Sequence, residues 1–153
     1  MSDLAAGTTI RALDFPPSQT ASQTTAQTNI SSTTYVAPTN ACEVTFVAPT
    51  SGRVKVIVGA GSRDDTNDNR VFVSVEIRET NVSGQVIVSP NLTAHGYGGL
   101  TVASTYVHWS RLTIVEGLTP GQTYFARIMI RAETTTSSSA DLEQKDLTIV
   151  PVP

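Results

Sequence analysis

The residues able to do chemistry in this sequence are few: His95, His108, Cys42 and a loop of acidic and amide side chains at 63–69. Acid–base work at neutral pH needs an imidazole or a perturbed carboxyl. Nucleophilic catalysis would need Cys42 or a serine beside His95 or His108, with a carboxylate orienting the ring. Serines are so abundant that their nearness to an imidazole carries no information, so no catalytic residue is assigned and no enzyme is expected. In the loop, Asp65, Asn67 and Asn69 alternate, and Glu76 stands where a twelve-residue calcium loop has its bidentate carboxylate. Arg70, however, occupies the place that needs glycine, and Asp and Asn suit any exposed hairpin loop. Neither a metal nor another cofactor is expected. The aromatics of 95–109 allow one binding chemistry: Tyr97, Tyr106 and Trp109 could stack on a sugar or another receptor group. For Trp109 the expected place is instead the sandwich core, where a single large ring contributes most.

The elements that position these residues follow from composition. The chain has 153 residues and is 39% hydrophobic and only 15% charged, enough for one domain with a core. Ser and Thr, about a quarter of the chain, carry its polarity, and Val outnumbers Leu about two to one. Such a mix favours strands and turns over helices. A net charge of -3 offers no footprint for nucleic acid, and no basic amphipathic stretch suggests a membrane surface. A lone cysteine forms no internal disulfide, and Met1-Ser2-Asp3-Leu4 shows no secretory leader. The Asn-x-Ser/Thr sequons at Asn29, Asn81 and Asn91 read as chance in so hydroxyl-rich a chain.

Period-two alternation marks strands at 44–47, 53–58, 71–77, 85–88, 101–107, 110–115, 123–132 and 142–150. Gly59-Ala60-Gly61 reads as a strand end and His95 to Gly99 as a glycine-rich loop. Tyr124, following Leu118-Thr119-Pro120-Gly121, has the spacing of a tyrosine corner, in which the hydroxyl bonds upstream backbone. The expected fold is an all-β antiparallel sandwich, jelly-roll-like, with an immunoglobulin or fibronectin III order as the alternative. Residues 1–41 read as an extended N-terminal arm and 42–153 as the sandwich. The stretch from Ser18 to Thr28 has no bulky apolar residue and orders only against another surface. Ile10, Leu13, Phe15, Ile30 and Tyr35 are the arm's candidate anchors to neighbouring subunits.

Val44-Thr45-Phe46-Val47-Ala48-Pro49-Thr50-Ser51-Gly52-Arg53-Val54-Lys55-Val56 resembles the opening of trimeric jelly-roll modules of the tumour-necrosis-factor-like kind, which recur in bacteriophage capsid and tail appendages. The segment 118–130 followed by 142–150 is similar to their closing hairpin, and Ala6 to Pro16 is similar to the leader of small virion proteins from actinobacterial phages. The resemblance implies a virion structural protein, homo-oligomeric and trimeric, whose partners are phage capsid or tail proteins. A capsid-decoration subunit is the first expectation and a minor tail protein the other location. A tail-tip receptor- or glycan-binding module reading the host through Tyr97, Tyr106 and Trp109 is the alternative function. A hydrolase is disfavoured for lack of acid–base residues.

Overall fold

A computed structural model describes residues 9, 11–64, 69–100, 103–134 and 140–152. A 3-10 turn, Ala12–Asp14, precedes the first strand. The strands are β1 (Gln19–Gln23), β2 (Glu43–Val47), β3 (Arg53–Arg63), β4 (Arg70–Glu79), β5 (Val86–Val88), β6 (Gly96–Leu100), β7 (Val107–Val115), β8 (Thr123–Ala132) and β9 (Asp141–Val152). One short helix, α1 (Leu92–His95), leads into β6.

The strands form two antiparallel sheets. The first has the order β1-β9-β3-β7, and the second β2-β8-β4-β5 with β6 also paired to β4. Successive strands β1, β2, β3 and β4 alternate between sheets, as do β7, β8 and β9. That wrapped double Greek key is the jelly roll, and it decides against an immunoglobulin order. Each sheet turns its alternate residues inward. Val54, Val56 and Val58 of β3 meet Val71, Val73, Val75 and Ile77 of β4, with Ala126, Ile128 and Ile130 of β8 and Leu147 and Ile149 of β9 in one core. Phe46 stacks on Tyr124 with ring centroids 5.7 Å apart. The Tyr124 hydroxyl accepts a hydrogen bond from the Thr119 N–H at 2.9 Å, the corner its spacing predicts.

Three expectations are corrected. The sandwich begins at Gln19, well before residue 42. β1 pairs with β9 from Gln19–Ile149 to Gln23–Lys145, Ile30 is buried in the core, and Val36 bridges Ile130. A strand whose one apolar residue is Ala21 can still form when the edge of β9 supplies its hydrogen bonds, so composition did not reveal it. Second, Gly59 and Gly61 lie inside β3, which accommodates them with a register shift toward β9. Third, Gly96 to Gly99 is strand rather than loop, paired with β4 from Ser74–Gly96 to Val71–Gly99. The glycines are needed there because rings lie against them. A Cβ on Gly98 would stand 2.8 Å from the Phe72 ring, and one on Gly99 2.8 Å from that of Trp109. Of the strand expected at 101–107, only Val107 belongs to a named strand, as the start of β7, and 101–102 lie outside the described residues.

Candidate functional site

The open flank of the sandwich, where β6 and α1 face β7, gathers most of the aromatic and imidazole residues singled out above. Asn91 caps α1, its side chain accepting from the N–H groups of Thr93 and Ala94. Arg111 of β7 closes the other end: its guanidinium donates to the carbonyls of Leu92 at 3.0 Å, Thr93 at 2.8 Å and Gly96 at 2.5 Å. Main-chain carbonyls at a helix C-terminus attract a cation, so this arginine fastens β7 to α1 across the gap between the sheets.

The structure separates the three candidate surface aromatics by role. Tyr97 packs against the core and reaches the Ala60 carbonyl at 3.5 Å; burial raises its hydroxyl pKa well above the ordinary value. Tyr106 lies under the Arg63 guanidinium, 4.9 Å from ring centroid to charge, while Arg63 also pairs with Asp141 at 2.8 Å. Trp109 was expected in the core and is instead 45% exposed. β7 is the last strand of its sheet, so the Trp109 ring, which lies against Gly99 of β6, remains open to solvent on its other side. The three rings therefore do not present one continuous platform; Trp109 alone offers an open face.

Neither imidazole is hydrogen-bonded to a hydroxyl, a thiol or a carboxylate among the described residues. His95 sits beside Arg111, with Nδ1 buried and unpartnered, and burial together with that positive neighbour lowers its pKa. His108 lies over Gly61. Cys42 is buried, its Sγ donating to the carbonyls of Ala21 at 3.3 Å and Lys145 at 3.4 Å. Among the described residues no group of three or more His, Cys, Asp or Glu side chains could hold a metal. Residues 65–68 of the acidic loop lie outside the described residues. Glu76 points away from such a role: Arg78 Nε donates to it at 2.7 Å and Arg127 Nε at 2.8 Å. Burial works to raise its pKa, but the two guanidiniums outweigh that and hold it below the ordinary value.

The candidate arm anchors divide as well. Ile10 lies outside the described residues. Leu13 and Phe15 are exposed, with the 3-10 turn fastened to the β2–β3 connection by Thr50 Oγ1 donating to Asp14 at 2.7 Å. Ile30 and Tyr35 serve the chain's own sandwich. Ile30 donates its N–H to Ala140 at 2.8 Å, and Tyr35 lies under Arg131, whose guanidinium also stacks 3.9 Å from the Phe72 centroid. The receptor for this segment is β9. Lys145, fully buried, donates from Nζ to the Thr25 carbonyl at 2.7 Å, and Gln27 bridges Leu142. Composition gave no sign that this lysine holds the arm. A buried charge must find a partner, and its partner here is a main-chain carbonyl 120 residues away.

No protein-family model matches this chain, and no curated protein matches its sequence. Its fold is similar to solved structures. One, of infectious bursal disease virus Gt strain, aligns at a TM-score of 0.55 and 7% identity over 99% of this chain and 37% of the other. A second, of the Gx strain of that virus, aligns at 0.43 and 8% over 98% and 37%. A third, the enzymatically active domain of bacteriophage CBA120 tailspike protein 4, aligns at 0.40 and 9% over 87% and 19%. The chain thus spans little more than a third of the viral chains it matches. The first of these similarities shows the jelly-roll fold; the other two are too loose to carry an argument.

Proposed function

We propose that this protein is a non-enzymatic virion structural subunit, a phage decoration or appendage protein built on a single jelly roll. The observation that carries the reading is strand order: the double Greek key spans the described chain and superposes on a viral structure over 99% of its length. The surface suits assembly. Hydroxyl-rich faces pack together without stripping water from many ions, and Leu112, Ile114 and Trp109 offer apolar area at one edge. In this reading the subunit self-associates, as a trimer by its resemblance to tumour-necrosis-factor-like modules. It attaches to the particle through the segment ahead of β1, where Leu13 and Phe15 are free to engage a neighbour. The test is occupancy on density-gradient-purified particles of the encoding phage. Full-length protein should co-purify in stoichiometric amount, and a chain lacking residues 1–18 should not. Undiminished occupancy of the truncated chain overturns attachment by this segment, and absence of the full-length protein from the particles overturns the virion assignment.

A second reading, a tail-tip receptor- or glycan-binding module, draws on the exposed ring of Trp109. It requires the tryptophan fluorescence to shift on titration with host-surface glycan. A spectrum unchanged at saturating glycan, with Trp109 still open to a neutral quencher, rejects it.

A further inference from the structure

We infer that β7 is a two-fold interface, pairing antiparallel with β7 of a second copy so that the first sheets of two subunits run on as one. This goes beyond the virion reading and does not depend on it, because a closed trimer requires two different surfaces per subunit whereas this edge pairs with itself.

β7 is nine residues long and is the last strand of its sheet, with no strand hydrogen-bonded to its outer side among the described residues. Natural edges of that length carry a device against pairing: a lysine, a proline, a bulge or an inward charge. This one carries none that is free. Its register with β3 runs unshifted from Val54–Val115 to Ser62–Val107, so there is no bulge. Residues 107–115 include no lysine or proline, and the one permanent charge, Arg111, is engaged by the α1 carbonyls. The other sheet-end strands, β1, β2, β5 and β6, are at most five residues long. The outward face beside β7 exposes two large apolar side chains: Leu112, 52% exposed, stands next to Ile57, and Ile114 stands next to Lys55, which Val150 flanks on the far side.

The occupant is a second copy because the strand is complementary to itself. With Leu112 opposite Leu112 of the partner subunit, Ser110 faces Ile114, Trp109 faces Val115, and His108 faces Glu116, which lies just past the end of β7. On the outward face this centres a leucine pair and sets His108 opposite Glu116, whose carboxylate its own subunit's Arg53 already holds at 2.9 Å. On the inward face it covers the open side of Trp109. The same edge offered to an unrelated strand has no reason to set a leucine against Leu112 and an apolar side chain over Trp109 in one register.

Register makes the test sharp. Side chains directly opposite in an antiparallel pair have Cβ atoms about 4.5–5.5 Å apart, within reach of a disulfide once the strands adjust slightly. Residues two places from the axis stand about 13 Å from their own copies. In the full-length chain under oxidised glutathione, which takes up the two electrons as two thiols join, Leu112→Cys should give a linked dimer on a denaturing non-reducing gel, and Ser110→Cys should stay single. Light scattering should give the wild type an even multiple of 16.2 kDa and Leu112→Lys half that mass, with an unchanged far-ultraviolet spectrum. Equal linking by the two cysteine variants, a wild type monomeric at every concentration, or a mass indifferent to Leu112→Lys each overturns the interface. Loss of particle attachment with the dimer intact would count against the virion reading alone.

Discussion

Truncating Ile30 to alanine separates a segment docked on its own subunit from one that waits for a neighbour. Ile30 is 4% exposed, lies in the core cluster, and is fastened by its N–H to Ala140. The substitution removes three buried carbons, which at roughly 0.8 kcal/mol each come to about 2.4 kcal/mol. Core truncations of this kind reach 2–5 kcal/mol once the cavity term is added. The low end applies here. Ile30 borders an open cavity of about 200 Å³ lined by Gln27, Asn29, Val36 and Pro38, and space that already admits water adds little to the cavity term. A loss of about 2.5–3 kcal/mol is a large part of the roughly 5–15 kcal/mol expected of a domain. With a urea slope of about 2 kcal/mol/M, the unfolding midpoint should fall by about 1.3 M. Leu13→Ala and Phe15→Ala, at exposed sites, should stay within about 0.5 kcal/mol of wild type. An Ile30→Ala midpoint indistinguishable from those two would refute docking of this segment on its own sandwich.

Two further outcomes follow from buried polar groups. Arg78 and Arg127 hold the Glu76 carboxyl below its ordinary range, so its contribution to stability is present at neutral pH and lost as pH falls through the acid range to below that lowered value. Glu76→Gln should cost about 1–3 kcal/mol at pH 7, and urea midpoints of variant and wild type should converge as pH falls below that lowered value; a constant gap would show that the ion pairs are not responsible. Burial, reinforced by the negative charge of Asp146, pushes the Cys42 thiol up to about 11, so iodoacetamide at pH 8 should label it only after unfolding, and labelling of the native protein at the rate of a free thiol would contradict that placement.

Period-two alternation depends on one strand and its local exposure, so β2, β4, β8 and most of β3 and β9 were legible from residues alone, as was the Tyr124 corner. Composition determined the class: a valine- and hydroxyl-rich chain with few charges builds sheets. What the residues could not disclose were relations between distant segments. β1 has no apolar residue larger than Ala21 and exists because β9 has an edge to fill. Gly96 to Gly99 looks like a loop until Phe72 and Trp109 are seen lying on it. Glu76 and Arg127 are 51 residues apart and become partners only because β4 and β8 pair in that register. Trp109 carries every local sign of a core residue, yet a side chain's burial depends on what covers it. At the last strand of a sheet, cover on one side must come from across the sandwich, where β6 sets Gly99 against the ring. Strand order, and with it the edge left open at β7, belongs to the tertiary structure because hydrogen bonds between strands are made by backbone groups that every sequence shares.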